Sequence, residues 1–64
     1  MNKAEAEIHK IASGTTERVR YSAEVYCAGE GFRTRIYAYK GNVVKAAGSA
    51  ARRLGWEIEG WWGA

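Results

Sequence analysis

Strict alternation of apolar and polar residues runs from Arg18 to Cys27, with Val19, Tyr21, Ala23, Val25 and Cys27 on one side and Arg18, Arg20, Ser22, Glu24 and Tyr26 on the other. The period of two resumes after Ala28-Gly29-Glu30-Gly31, setting Phe32, Thr34, Ile36 and Ala38 against Arg33, Arg35, Tyr37 and Tyr39. Two such runs around a glycine-bearing break predict a β-hairpin, and Gly29-Glu30 suits a two-residue type II′ turn with Gly at its first central position. That turn pairs Ala28 with Gly31 and places Cys27, Val25, Ala23 and Tyr21 opposite Phe32, Thr34, Ile36 and Ala38, so turn and apolar pattern agree. The polar face of the same hairpin pairs Tyr26 with Arg33, Glu24 with Arg35, Ser22 with Tyr37 and Arg20 with Tyr39.

Beyond Gly41 the period changes to that of a helix. Val43, Val44, Ala47, Ala50, Ala51 and Leu54 form an apolar face, Asn42 is a suitable N-cap and Gly55 a left-handed terminator. Gly48, inside this helix at a cost of about 1 kcal/mol, reads as a point of close approach to a strand or partner. Trp56 to Glu59 alternates again as a closing strand with Trp56 and Ile58 inward. Residues 2–13 satisfy two periods. Asn2 and Glu5 resemble a capping box, and Ala4, Ile8, Ile11 and Ala12 fall on one helical face before Gly14. Ala4, Ala6 and Ile8 also alternate with Glu5, Glu7 and His9 as in a strand; Ile11 breaks that alternation, and helix is the favoured reading. The fold class is therefore α+β, a small antiparallel sheet with one helix packed across it: αββαβ, or βββαβ if the first segment is extended.

Sixty-four residues make one domain, residues 1–64, near the lower limit for independent folding. The one cysteine, Cys27, has no intramolecular partner and reads as an inert core thiol, which together with the lack of a signal peptide suits a cytoplasmic location. No apolar run approaches the roughly 20 residues of a membrane span. The chain has no aspartate and one histidine, His9, which reads as a solvated side chain. Hydrolytic triads, paired-carboxylate sites and metal centres need convergent Asp, His, Cys or Glu groups, so a non-enzymatic module without cofactor or metal is expected.

Charge sharpens this expectation. Arg18, Arg20, Arg33, Arg35, Lys40, Lys45, Arg52 and Arg53 meet only Glu24 and Glu30 between positions 18 and 53, a net +6, whereas both ends of the chain are acidic. A segregated basic block points to a phosphate-bearing partner. The candidate contact residues are Arg18, Arg20, Arg33, Arg35, Tyr37 and Tyr39, assisted by Tyr26 and Lys40, on the polar face of the hairpin. Guanidinium groups fork onto phosphates and tyrosine rings stack on unpaired bases, so single-stranded nucleic acid is the favoured ligand. Lys45, Arg52 and Arg53 form a secondary stripe on the helix. In the Trp61-Trp62 pair one ring completes the core; Trp61, expected outward beside Glu57 and Glu59, is an interface anchor suited to a protein contact. The alternative function is thus an inhibitor that docks the same arginines on an acidic protein surface. An edge strand unguarded by proline also makes a homodimer a candidate assembly.

In size and strand–strand–helix–strand plan the chain resembles small proteins encoded by phages and plasmids, including some anti-CRISPR inhibitors. The likeness is one of architecture and implies a binding protein of that kind.

Overall fold

In a computed structural model that describes residues 2–13 and 18–63, the chain forms β1 (Asn2–Ser13), β2 (Arg18–Cys27), β3 (Glu30–Arg33), α1 (Lys40–Arg53) and β4 (Trp56–Gly63). The strands make one sheet in the order β3-β2-β1-β4 with α1 across one face, the βββαβ form of the expected α+β plan. The break expected near Gly14 lies outside the described residues. β1, β2 and β3 are an antiparallel meander; β4 returns from the helix to lie parallel to β1, so the sheet is mixed.

β1 is a strand rather than the favoured helix. Ala4, Ala6 and Ile8 are buried under α1 while Glu5, Glu7 and His9 point to the opposite face. Pairing on both edges, with β2 and with β4, satisfies the backbone and overrides local helix propensity. Ile11, the residue that breaks the alternation, pairs with Arg20 on the open face of the sheet and is 36% exposed.

The hairpin register is shifted by two from the expected one. Cys27 pairs with Glu30, Tyr26 with Gly31, Val25 with Phe32 and Glu24 with Arg33. The turn is Ala28-Gly29 with φ of 50° and 85°, the positive pair of a type I′ turn, whose twist matches that of the strands. A shift of two preserves the faces, which is why the apolar pattern did not discriminate. Regular pairing ends at Arg33; Thr34 still donates its N–H to the Ala23 carbonyl, but the next bridge joins Tyr21 to Tyr37. One extra residue in 34–37 inverts the alternation. Tyr37 consequently packs against the core, while Ile36 and Ala38, expected inward, are exposed.

α1 starts at Lys40, with extended Tyr39 as N-cap three residues before the expected Asn42; the Asn42 N–H donates to the Tyr39 carbonyl at 3.1 Å from inside the first turn. Gly55, with φ of 76°, ends the helix as expected. Val43, Ala47 and Ala51 are its buried residues, a narrower stripe than the periodicity suggests.

The core is thin in the middle. Ala4, Ala6 and Ala23 on the central strands face Ala47 and Ala51 on the helix, all essentially fully buried. This alanine floor leaves room for Trp56, 92% buried, to reach from one edge strand beneath the helix towards Phe32 on the other. The two rings stack with centroids 5.9 Å apart and planes inclined at 26°. Cys27 is a buried free thiol, as expected.

Candidate nucleic-acid interface

The strand pairing decides where the charges fall. β1 lies between β2 and β4, so the acidic N-terminal segment is laid directly against the basic hairpin. On the open face of the sheet Lys3, Arg20 and Arg33 share space with Glu5, Glu7, Glu24 and Glu57. The segregation seen along the sequence is cancelled there.

Glu24 is the hub of this face. Its Oε1 accepts from Arg33 Nη2 at 3.1 Å and lies 2.8 Å from His9 Nε2; its Oε2 accepts from the Tyr26 hydroxyl at 2.9 Å. Donation from Tyr26, then from Arg33, holds the Glu24 carboxyl below the usual glutamate range, and the same bond raises the Tyr26 phenol. Glu7 Oε1 is 3.7 Å from His9 Nε2. Glu7, His9 and Glu24 thus gather metal-type donor atoms within 4.8 Å of one another, and the Glu24 oxygens among them are already engaged by Arg33 and Tyr26. His9 is therefore a member of a network, not simply solvated; reading residues 2–9 as a strand beside Arg18–Cys27 would have found it. At the β4 edge Lys3 Nζ donates to Glu57 at 2.7 Å, raising the lysine and lowering the carboxylate.

The residues expected to form one Arg/Tyr surface are dispersed. Arg20, Arg33 and Tyr26 are on the open face. Tyr26, though 43% exposed, lies with its ring over Gly31 on the neighbouring strand: a Cβ built there would come within 3.2 Å of the ring. Arg35 leaves the sheet and lines a crevice of about 410 Å³ with Tyr37, Ser49 and Arg53. Tyr39 is 71% exposed at the helix N-terminus, where it lines another crevice with Arg20 and Ile36. Lys40 opens α1 near Trp62 and Val44. Arg18 is placed by its backbone opposite Ser13, and its side chain lies outside the described residues.

The helix side is different in kind. α1 carries Lys40, Lys45, Arg52 and Arg53 and no acid. Among the described residues none of these four has a carboxylate within 4.0 Å, whereas Arg33 and Lys3 on the sheet are both paired. A register shift in β4 adds an aromatic wall. Ala4 aligns with Ile58 but Glu5 with Gly60, which leaves Glu59 as the extra residue. The shift puts Trp61 in line with Ala6, on the helix side, and Trp62 in line with Glu7. Trp61 is thus not outward beside Glu57, as the unbroken alternation implied. Trp61, 39% exposed, borders a groove of about 520 Å³ between α1 and β4, together with Lys45, Gly48, Arg52 and Ile58. Nothing lies within 4 Å of a Cβ built on Gly48, so this glycine serves no close approach and leaves the groove open. At the end of β4, Gly63 has φ of 96° and a Cβ there would collide with the Ile8 backbone, which fixes the strand bearing both tryptophans.

No protein-family model, curated protein or solved structure matches the chain. Among the described residues no helix is long and apolar enough to cross a membrane.

Proposed function

We propose that this chain is a non-enzymatic nucleic-acid-binding module that meets the phosphate backbone with the exposed face of α1. The observation carrying this reading is the set Lys40, Lys45, Arg52 and Arg53, four cations on one helix with no acid in it and no ion-pair partner among the described residues. Each cation that neutralises a phosphate releases counterions condensed on the nucleic acid, and an unpaired cation does so without first giving up an internal bond. Arg35, across the crevice from Arg53, extends the same basic surface. The sheet face is the weaker candidate, since Arg33 must leave Glu24 to bind a phosphate. The buried free thiol of Cys27 supports a reducing, cytoplasmic setting for this activity.

Fluorescence anisotropy with labelled oligonucleotides, titrated from low to near-physiological salt, tests the reading. The expected result is binding whose logarithm falls linearly with log salt. Lys45→Ala/Arg52→Ala/Arg53→Ala should flatten the slope by about 2 for a single strand, three contacts at roughly 0.7 each. Arg20→Ala/Arg33→Ala should leave it nearly unchanged. Absence of binding at low salt, or a loss confined to the sheet variant, overturns the proposal.

The second reading, a protein-docking inhibitor of the small phage type, is favoured by the exposed Trp61, Trp62 and Val44 near the helix cations. It requires a stoichiometric complex with an acidic protein surface and no salt-dependent oligonucleotide binding.

A further inference from the structure

The groove between α1 and β4 has features that phosphate binding alone does not need. One wall is Trp61, a residue 39% exposed although it sits on the helix side of the sheet. The other is the turn of α1 around Gly48, where the missing side chain leaves open space. Lys45 and Arg52, one turn to either side of Gly48, flank this opening. The volume, about 520 Å³, falls within the roughly 300–1,000 Å³ typical of small-molecule sites. Glu57 also borders the groove, but its carboxylate is bonded to Lys3. An aromatic wall facing two cations, with Ile58 also lining the groove, is complementary to a flat ring joined to phosphates on both sides.

Resting on the nucleic-acid reading above, we infer that this groove receives one unpaired nucleobase, which stacks on Trp61 while its flanking phosphates meet Lys45 and Arg52. A base in a duplex is stacked on both faces and cannot enter without flipping. The groove therefore confers preference for single strands, which the cations of α1 alone do not. The specificity comes from β4: without the register shift at Glu59, Trp61 would point to the opposite face of the sheet.

The test compares an oligodeoxythymidylate with a fully paired hairpin of the same charge, at low salt, for the intact chain and three single variants. The intact chain should bind the single strand more tightly and show quenched tryptophan emission. Trp61→Ala should weaken single-strand binding about 5- to 150-fold, the range expected for one lost base–aromatic stack, with Trp61→Phe restoring most of it. Hairpin binding should stay within about twofold, a readout that a merely destabilised fold would also move. Gly48→Leu should block the groove from the helix side and weaken single-strand binding in the same way. Because leucine is the better helix former, its far-UV circular dichroism should be preserved. Equal binding of both ligands, unaffected by Trp61→Ala and Gly48→Leu but lost in the triple helix variant, overturns the groove assignment and leaves the phosphate-binding helix standing. Absence of binding to either ligand overturns both, and selective capture of an acidic peptide instead overturns the nucleobase as occupant.

Discussion

Trp56 is the side chain on which this small core depends, and its contribution can be separated into volume and contact. It is 92% buried and spans an alanine floor to stack on Phe32 at 5.9 Å. Truncating a buried tryptophan to alanine costs about 3–5 kcal/mol. A single core in a chain of this length supplies about 3–5 kcal/mol net. Trp56→Ala should therefore leave little folded protein at 25 °C, visible as loss of a cooperative thermal transition by far-UV circular dichroism. The contact is measured by a double-mutant cycle of Trp56→Leu and Phe32→Leu in urea denaturation, where both singles keep an apolar side chain. An offset stack should appear as a coupling of about 0.5–1.5 kcal/mol. In thermal terms, 1 kcal/mol corresponds to a shift of about 4–8 °C in a domain of this size. Additivity within about 0.3 kcal/mol, the scatter between independent sites, would refute the contact across the sheet. A cooperative Trp56→Ala protein melting within a few degrees of the parent would refute the argument from core volume.

The turn and the sheet network give two further expectations. Ala28 holds φ of 50°, a left-handed conformation that a Cβ disfavours and that asparagine tolerates, so Ala28→Asn should stabilise the protein by about 0.5–1 kcal/mol, read as a higher melting temperature; an unchanged or lower value contradicts the type I′ assignment. Because the folded state lowers the Glu24 carboxyl, the unfolded chain binds its proton more readily, and the associated stability is complete above the ordinary glutamate value of about 4.3 and lost as pH falls through the folded value below it. Melting temperature followed from pH 6 to 3 should thus fall more steeply for the parent than for Glu24→Gln, the two curves converging at the acid end; parallel curves would remove Glu24 from the account.

Local pattern disclosed the elements whose faces differ in polarity. The strand Arg18–Cys27, the helix to Arg53 and the inward Trp56 and Ile58 follow from periods of 2 and 3.6 alone. Three features were not legible, each for a stated reason. A hairpin shifted by two residues keeps every side chain on its face, so the pattern is blind to it. The extra residues near Ile36 and at Glu59 invert the alternation without any mark in composition, and they move Tyr37 inward and Trp61 to the helix side. Residues 2–13 fit two periods, and only long-range pairing with both neighbours decides between them. That single decision redistributes the charge: once β1 is a strand, Glu5, Glu7 and the His9–Glu24 contact neutralise the sheet face, and the stripe of Lys45, Arg52 and Arg53 becomes the principal basic surface. What one dimension shows as a block of charge, three dimensions can cancel by adjacency.

The parallel pairing of β1 with β4 also orders events during synthesis. The meander β1-β2-β3 emerges from the ribosome before β4, but the centre of its inner face is the alanine floor of Ala4, Ala6 and Ala23, which has little to bury on its own. The side chain that fills it, Trp56, belongs to the last described element, and β4 must then travel back to the first strand to dock. Chains elongate at about 5–20 residues per second, so the meander waits seconds with open strand edges before its closing partner exists. Folding therefore waits on β4, with a high entropic threshold set by pairing two strands far apart in the sequence. A chain arrested before Trp56 would carry all the cations of the basic surface and no stable scaffold to present them.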